Sequence, residues 1–312
     1  MICYDSKVVV PTILDECDVE FFIENGYLVV ENMIQPDELD ALETDLLKLA
    51  RGGYPCDTFK AVDAGMSDDD VLKDILCIHQ PHYISPVIDA HVRHKDICGA
   101  LSQITAAHLP HWDGSVKCMQ SMYFCKPPGF QGQAWHQDEI YIPTRDRSLI
   151  GAWTAIDDAT VENGTIWVIP GSHKSGYLHA QKAHENPDEF DFAPMSYGFD
   201  ESEEIPVEVK KGAVVFFNGY LLHRSAKNRS VDYRKVLVNH YCNAWSLLPW
   251  HVSEGEGAAT ADVRRIIPVA GIDPYAWKGV EKPLENVHVR TCSANKDSLE
   301  NKKKDETEPV AQ

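Results

Sequence analysis

Residues 135–138, Trp-His-Gln-Asp, hold the first two of three side chains that we expect to bind one metal ion. His136 and Asp138 are two positions apart, and side chains at this spacing on a β-strand point to the same face. The third side chain, His223, lies far downstream. Two histidines and one carboxylate form the facial ligand set of non-haem Fe(II) oxygenases, which leaves other coordination positions open. The pattern therefore predicts an iron site in a fold built from strands.

Arg234 follows the second histidine and gives this iron site a second component. The open positions of such an iron can take a bidentate oxo acid together with dioxygen. A guanidinium group binds a carboxylate through two parallel hydrogen bonds, so Arg234 suits the far carboxylate of an oxo acid. We therefore expect a metal centre and an oxo-acid anchor within one site.

Composition and charge limit the classes of function. The 312-residue chain is 44% hydrophobic and 25% charged, which is typical of a globular protein with one large domain. Its formal net charge of −19 disfavours nucleic acid and anionic membrane surfaces as partners. No stretch reaches the roughly 18 apolar residues of a membrane-spanning helix. A small-molecule substrate remains as the expected partner, and the sequence leaves the oligomeric state open.

Cysteine usage and the first residues of the chain bear on the compartment. The nine cysteines are scattered and include no Cys-x-x-Cys pair, which is typical of free thiols in a reducing environment. The first residues lack the basic and apolar regions of a signal peptide. We therefore expect a cytoplasmic location.

The first part of the chain, to about residue 115, carries mainly helical signals. Residues 15–30 predict a short helix that ends at Gly26 and is followed by a strand. Pro36 suits the first turn of a second helix, because the missing N–H of proline would be unpaired there anyway. A further helical region is expected over residues 84–109.

The chain changes character after Val116 and predicts a β core over residues 116–250. Glycine, proline and asparagine separate short strand-like runs at 119–124, 151–156, 165–169, 207–209, 214–217 and 236–241. This pattern predicts a mainly β fold with flanking helices, either a jelly roll or a sandwich. We expect residues 1–293 to form a single domain, residues 294–312 to form a disordered tail, and the acidic stretch 185–204 to form a lid.

Several motifs resemble, in the same order, those of one known family. They are Gln120-Ser121-Met122-Tyr123, Lys126-Pro127-Pro128, Trp135-His136-Gln137-Asp138, Asp158 to Gly164 (Asp-Ala-Thr-Val-Glu-Asn-Gly), Ile169-Pro170-Gly171-Ser172-His173, Gly219 to Ser225 (Gly-Tyr-Leu-Leu-His-Arg-Ser) and Arg234. From about Glu20 to Trp250 the chain is similar to the phytanoyl-CoA dioxygenase family. The resemblance implies a double-stranded β-helix, a cupin-like jelly roll, with Fe(II), 2-oxoglutarate and dioxygen as cofactors. It also implies a dioxygenase that hydroxylates an unactivated C–H bond of a small-molecule metabolite and releases succinate and carbon dioxide.

The resemblance assigns roles to individual residues. His136, Asp138 and His223 resemble the family's catalytic iron ligands. Arg234 resembles its 2-oxoglutarate anchor, and Ser225 resembles the hydroxyl that assists this arginine. The residues that resemble the lining of the co-substrate pocket, or lie next to it, are Met122, Trp153 and Gln120.

One position departs from the family pattern. Family members can carry a lysine upstream of the jelly roll that approaches 2-oxoglutarate, where this chain has Tyr83 next to His82. Either a hydroxyl or an imidazole replaces that ammonium group, or the contact is absent.

Other polar residues near the motifs have open roles. His240 could face the site or the solvent, and His173 is interpreted as structural. Candidate substrate contacts flank the ligand and anchor motifs, and they are Gln133, Glu139, Tyr141, Tyr220, Asn239 and Tyr241.

Two other functions stay open at this point. One is a cupin metalloenzyme that uses the metal alone, without 2-oxoglutarate, and the presence of Arg234 with Ser225 argues against it. The other is a non-catalytic sensor that binds a metal and 2-oxoglutarate on the same fold.

Asp138 favours hydroxylation over halogenation, because halogenating relatives replace this carboxylate with a small residue. The identity of the substrate, its linkage to coenzyme A and the regiochemistry are not determined by the sequence.

Overall fold

A computed structural model describes residues 10–59, 62–246, 265–278 and 287–292 of the chain. The α-helices of these residues all lie in the first third of the chain, and they are α1 (Glu16–Asn25), α2 (Pro36–Ala50), α3 (Asp68–Leu72), α4 (Pro86–Val92) and α5 (Lys95–Ile104). No helix in the described part of the chain is long and apolar enough to cross a bilayer. The expected tail, residues 294–312, lies outside the described residues.

Local sequence sets the bounds of the first two helices. Asp15 accepts a hydrogen bond from the backbone N–H of Asp18, and the Asp18 side chain accepts one from the N–H of Asp15. This reciprocal capping begins α1. Gly26, with φ +79°, ends α1 in the left-handed conformation that glycine adopts without steric cost. Pro36 occupies the first turn of α2, so both predicted helices are confirmed.

The helical region expected at 84–109 is instead two short helices, α4 and α5. Ser85 caps α4 by accepting from the N–H of Ile88. The chain then leaves the helix, and the His94 side chain accepts from the N–H groups of Asp96 and Ile97 to begin α5. A histidine at the cap position therefore begins a separate helix within the stretch where one helical region was expected.

The strands of the described residues form three antiparallel sheets. They are β1 (Tyr27–Val30), β2 (Ile75–His79), β3 (Val116–Lys126), β4 (Ile150–Ala155), β5 (Ile166–Val168), β6 (Gln181–Lys182), β7 (Met195–Ser196), β8 (Ile205–Val207), β9 (Val214–Asn218), β10 (His223–Ser225), β11 (Arg234–Asn243), β12 (Ile267–Ala270) and β13 (His288–Thr291). The large sheet has the order β1-β9-β4-β11-β3-β2-β13, with β12 also paired to β3. A smaller sheet has the order β10-β5-β8, and β6 pairs with β7.

The large sheet has helices on one face and the smaller sheet on the other. On the helical face, Leu42 and Leu101 belong to the same buried cluster as Tyr123, Phe216 and Leu237 of the sheet. Burial of each such side chain contributes about 1.5–3 kcal/mol to folding. Between the sheets a second buried cluster contains residues of both layers: Trp153, Val215, Val236 and Val238 with Ile166, Val168 and Val207. Two facing antiparallel sheets with helices outside confirm the predicted jelly roll.

Strand β11 shows how the alternation of side chains separates the two faces. Leu237 and Tyr241 pack with the helices, whereas Val236 and Val238 pack between the sheets. Side chains at even spacing share a face. Arg234 and His240, at the same parity as these two valines, therefore belong to the interior of the jelly roll.

The large sheet extends beyond the core expected at residues 116–250. Strand β2 lies in the supposedly helical part and pairs with β3, while β12 and β13 come after residue 250. The sequence Ile-Leu-Cys-Ile-His of β2 is buried on both faces and is mainly apolar, so it lacks the alternation that marks a half-exposed strand. The strands predicted in the core are confirmed, with bounds shifted by a few residues.

Candidate metal centre

The two candidate histidine ligands lie on neighbouring extended segments. The backbone N–H of His136 donates to the carbonyl of His223 at 2.9 Å, and the N–H of His223 donates back at 3.1 Å. This bridge adds the segment around His136 to the β10 edge of the smaller sheet. Asp138, however, begins a 3₁₀ turn (Asp138–Ile140) and does not continue a strand. The expected strand spacing was therefore wrong in its detail, since the turn, not a strand, directs this carboxylate.

The three side chains nevertheless converge. Their candidate ligand atoms all lie within 4.8 Å of one another, and no other such group of three is found among the residues that the structure describes. Asp138 Oδ1 is 3.6 Å from His136 Nε2 and 3.7 Å from His223 Nε2. All three residues are buried, with 5–8% of their surface exposed. This arrangement has the donor set of a facial metal site.

Backbone carbonyls orient both imidazole rings. His136 Nδ1 lies 2.8 Å from the carbonyl oxygen of Ala134, and His223 Nδ1 lies 3.0 Å from that of Leu221. A carbonyl can only accept, so each Nδ1 carries a proton, and Nε2 is the nitrogen of each ring that faces Asp138 and is available for a metal. Burial, and after it the neighbouring His223, lower the pKa of His136 to about 3. The ring is therefore neutral at physiological pH, as metal ligation requires.

His240 holds the other oxygen of the carboxylate. Its Nε2 lies 2.8 Å from Asp138 Oδ2, which leaves Oδ1 towards the two candidate histidine ligands. Burial raises the pKa of Asp138, but the imidazoles of His223 and then His240 lower it more, so the net pKa is below its usual value. The sequence left the direction of His240 open. In the structure this side chain faces the site.

Arg234 lies in the same interior, and none of the described residues forms an ion pair with it. The residue is 3% exposed, its Nη1 donates to the carbonyl of Gly164 at 2.9 Å, and its Nε has no hydrogen-bond acceptor among the described residues. Its guanidinium carbon lies 5.6 Å from the centre of the Trp153 ring. Burial lowers the pKa of Arg234 to about 10, which still leaves it charged. A buried cation with an unsatisfied donor fits a carboxylate ligand at this position.

Lys126 is a second buried basic residue beside Arg234, and its role was not predicted from the sequence. The two residues are direct partners in the antiparallel pairing of β3 with β11. Lys126 Nζ donates to the carbonyl of Ala226 at 2.7 Å and to Ser225 Oγ at 3.2 Å. Burial, and then the charge of Arg234, lower the pKa of Lys126 well below its usual value. The motif Lys-Pro-Pro was visible in the sequence, but only strand register places this lysine at the anchor.

The remaining candidate pocket residues lie along the same face of the large sheet. Val238 on β11 pairs with Met122 on β3 and with Trp153 on β4, so Met122 and Trp153 lie on either side of it. Gln120 pairs with His240, and its Nε2 lies 3.3 Å from the sulfur of Met122. The structure therefore brings these three residues to the interior between the carboxylate of Asp138 and the anchor.

Several expected contacts lie elsewhere. His82 Nδ1 contacts Ser121 Oγ at 2.5 Å on the helical side of β3, and the Tyr83 hydroxyl accepts from the N–H of Arg265. Tyr241 donates to the carbonyl of Val92 on the helical side. Asn239 pairs with Ser121 and alternates along β11 in step with Leu237 and Tyr241, so its side chain faces the helices. The Glu139 carboxylate accepts hydrogen bonds from Thr144, and the ring of Tyr220 contacts Arg147. His173 Nε2 contacts the carbonyl of Ile23, in agreement with the structural role expected for this histidine.

Gln133 and Tyr141 are the two candidate substrate contacts that lie next to the cluster. The backbone N–H of Gln133 donates to Ser225 Oγ at 3.0 Å. The ring of Tyr141 has its centre 6.2 Å from that of His136, and 43% of the residue is exposed. The Tyr141 hydroxyl accepts from Gln181 Nε2 at 3.3 Å. Tyr141 is therefore exposed to solvent and also lies beside one of the candidate metal ligands, His136.

The acidic stretch after β6 packs along the segment that carries His136. Gly132 forms a parallel bridge with Phe190, and the N–H of Ser196 donates to the carbonyl of Trp135 at 2.7 Å. Asp191 is buried and forms an ion pair with Arg290 on β13 at 2.8 Å. The stretch is therefore attached to the site's own backbone as well as to the edge of the large sheet.

A jelly roll that places two histidines and an aspartate around one point, with a buried arginine in the same interior, defines the class of non-haem iron oxygenases. The family model described as phytanoyl-CoA dioxygenase (PhyH) matches residues 22–236, and the chain belongs to this family. Enzymes of the family use Fe(II), 2-oxoglutarate and dioxygen.

Individual relatives agree with the family match. Phytanoyl-CoA dioxygenase 1 of Oryza sativa subsp. japonica is 31% identical over 271 residues, which cover 76% of this chain and 93% of the relative. Phytanoyl-CoA dioxygenase domain-containing protein 1 of Danio rerio is 29% identical over 287 residues, covering 76% of this chain and 94% of the relative.

Solved structures show the same fold at lower sequence identity. The non-haem monooxygenase ThoJ, in its apo form, has a TM-score of 0.61 and 17% identity over 91% of this chain and 92% of its own. EvdO2 from Micromonospora carbonacea var. aurantiaca, complexed with 2-oxoglutarate, has a TM-score of 0.55 and 19% identity over 79% and 97%. The α-ketoglutarate-dependent carbocyclase SnoK has a TM-score of 0.56 and 20% identity over 79% and 92%.

Proposed function

We propose that this protein is an Fe(II)- and 2-oxoglutarate-dependent dioxygenase that hydroxylates an unactivated C–H bond of a small-molecule metabolite. One observation carries the proposal. Two imidazoles and one carboxylate converge in the same interior as a buried guanidinium group whose Nε has no acceptor among the described residues. A metal ion satisfies the first group, and a dicarboxylate that also binds the metal satisfies the second.

In this proposal His136, Asp138 and His223 hold the iron, and Arg234 with Ser225 holds the distal carboxylate of 2-oxoglutarate. Bound iron and 2-oxoglutarate supply the oxidising chemistry, with succinate and carbon dioxide as the products of the co-substrate. Trp153 and Met122 provide apolar walls that exclude water from the co-substrate, with Gln120 beside them. Ser225 is two residues from His223 on β10, which separates their Cα atoms by about 6.6 Å. This spacing suits a diacid that reaches from the metal to the anchor.

Tyr141 and Gln133 are proposed to face the substrate. Tyr141 is exposed on one side and lies beside His136 on the other, so a substrate that enters from solvent meets it before the metal. Gln181, which donates to the Tyr141 hydroxyl, precedes the acidic stretch that we propose as a lid. The negative net charge of the chain favours a neutral or cationic metabolite over a polyanionic thioester of coenzyme A.

Two other functions use the same geometry. A cupin metalloenzyme without 2-oxoglutarate needs no buried Arg234, so the unsatisfied Nε argues against it. A non-catalytic sensor would keep both the metal site and the anchor, and binding data alone do not separate it from an enzyme. Reactions other than hydroxylation also occur on this fold, since SnoK is described as a carbocyclase and SnoN as an epimerase.

The test is oxygen-dependent succinate formation. Protein purified without oxygen is loaded with Fe(II) and 2-oxoglutarate, exposed to air-saturated buffer with a panel of neutral and cationic metabolites, and assayed for succinate and for hydroxylated product. His136→Ala is the control. We expect succinate from the wild-type protein, increased by the true substrate, and none from the variant. Binding of iron and 2-oxoglutarate without succinate for any metabolite would favour the sensor, and failure to bind 2-oxoglutarate would favour the metal-only enzyme.

The cytoplasmic location is a separate proposal. Relatives include the protein named phytanoyl-CoA dioxygenase, peroxisomal, of Rattus norvegicus, which is 28% identical over 71% of this chain. Buried free thiols on β2, β3 and β11 agree with a reducing compartment. Fractionation of cells with an antibody to this protein and organelle markers distinguishes the cytosol from peroxisomes.

A further inference from the structure

Lys126 lies beside Arg234 at the proposed 2-oxoglutarate anchor, but the proposed dioxygenase function assigns no role to this lysine. Its ammonium group is buried and donates to the carbonyl oxygens of Ala226 at 2.7 Å and Gly164 at 3.5 Å. Arg234 donates to the same Gly164 carbonyl at 2.9 Å. No ion pair with a carboxylate is present for either cation in the described part of the chain. Burial beside Arg234 disfavours the ammonium form of Lys126, and a bound anion would favour that form and offset the loss of hydration of both basic groups.

Ser225 connects Lys126 to the position of that anion. Its Oγ accepts a hydrogen bond from Lys126 Nζ at 3.2 Å and another from the backbone N–H of Gln133 at 3.0 Å. A hydroxyl group has two lone pairs and one proton. Both lone pairs are thus occupied, and the hydroxyl proton has no acceptor among the described residues. The only bond left for this hydroxyl is one in which it donates.

We propose that Lys126 is a positioning residue for 2-oxoglutarate: together with the Gln133 N–H it occupies the lone pairs of Ser225 Oγ, so that the hydroxyl is fixed as a donor to the distal carboxylate. This inference rests on the proposed function, because it needs the distal carboxylate at Arg234. Without Lys126, the hydroxyl could turn its proton to a neighbouring carbonyl, such as that of Ala226, which loses its own donor. The lysine therefore determines the direction of the hydrogen bond that the Ser225 hydroxyl donates.

A role at the distal carboxylate predicts a selective effect that a general structural role does not. 2-Oxobutyrate has the metal-chelating end of 2-oxoglutarate but no distal carboxylate, so its binding cannot depend on the direction of the Ser225 hydroxyl. Lys126→Met removes the donors and the charge while keeping a long side chain. Ser225→Ala removes the hydroxyl while keeping Lys126, and it replaces the lysine variant as the test if that protein does not fold.

The experiment is calorimetric titration of both oxo acids into Fe(II)-loaded protein under nitrogen, for the wild type, both single variants and the double variant. We expect the dissociation constant for 2-oxoglutarate to rise about 10-fold to 100-fold in each single variant, because hydrogen bonds to charged groups contribute about 1.5–3 kcal/mol. We expect the constant for 2-oxobutyrate to change less than threefold. Because Lys126 acts through Ser225, the double variant should lose far less than the product of the two single losses.

Three results would overturn the inference. They are 2-oxoglutarate affinity within threefold of wild type in Lys126→Met, equal losses for both oxo acids, or multiplicative losses in the double variant. If only Ser225→Ala can be prepared, the absence of a selective loss in that variant also overturns it. Wild-type protein that binds 2-oxobutyrate and 2-oxoglutarate equally well, or neither, overturns the proposed function and this inference with it.

Discussion

Replacing Arg234 with methionine tests the anchor most directly. The substitution keeps an unbranched side chain against Trp153 and removes the guanidinium group, whose carbon lies 5.6 Å from the centre of that ring. In the proposed complex the guanidinium donates two charge-assisted hydrogen bonds to the distal carboxylate, each worth about 1.5–3 kcal/mol. The ammonium group of Lys126 remains nearby and retains part of the attraction. We therefore take the lower sum, about 3 kcal/mol, which corresponds to a rise of about 100-fold in the dissociation constant for 2-oxoglutarate.

The assay is calorimetric titration of 2-oxoglutarate into Fe(II)-loaded protein under nitrogen, with the iron content measured on the same samples. Iron binding should be unchanged, because Arg234 contacts none of the three candidate ligands. Arg224→Met is the matched control: Arg224 follows His223 on β10 but faces the other way, where it forms an ion pair with Glu204 at 2.9 Å. If the dissociation constant of the Arg234 variant stays within threefold of wild type, or if the control loses as much, the anchor assignment is wrong.

Three further predictions follow from contacts around the site and the core. His240→Ala removes the hydrogen bond to Asp138 Oδ2 and should weaken Fe(II) binding about 10-fold to 100-fold, because a residue that orients a metal ligand is lost. The affinity is measured by competition with a metal-binding dye, and a value within threefold of wild type would contradict this prediction. Gly132→Ala places a Cβ 1.8 Å from the carbonyl oxygen of Ser225 and should lower the free energy of unfolding by about 1–3 kcal/mol, as measured by urea titration. The control is Gly65→Ala, whose Cβ would meet only a side-chain oxygen at 3.6 Å and should leave the free energy of unfolding nearly unchanged. Burial lowers the pKa of His91 to about 3 from 6.5, so its stabilising contribution is fully present above pH 6.5 and is lost as the pH falls towards 3. Between pH 7.5 and 5.5 the wild type should lose about 1.4 kcal/mol more unfolding free energy than His91→Gln, and equal losses in urea titrations at the two pH values would show that His91 does not titrate in this way.

The sequence by itself determined the fold class and the candidate metal ligands. The spacing of His136 and Asp138, the distal His223 and the order of the surrounding motifs were sufficient, because these features are local or preserved in chain order. The core strands were also predictable, since short β-branched runs between turn residues carry a local signal. Strand β2 was not predictable, because a strand buried on both faces lacks alternation.

Only the tertiary structure decided which residues complete the site. Lys126 becomes the neighbour of Arg234 through the register of two strands more than a hundred residues apart in sequence. His240 reaches Asp138, 102 residues away in sequence, because its side chain lies on the face of β11 that is buried between the sheets. Register and face are fixed by the packing of many distant side chains, so a one-residue slip would exchange the two faces while leaving every local pattern unchanged. The chemical type of the site is thus encoded locally, whereas its charge balance and hydrogen-bond directions arise from the packed fold.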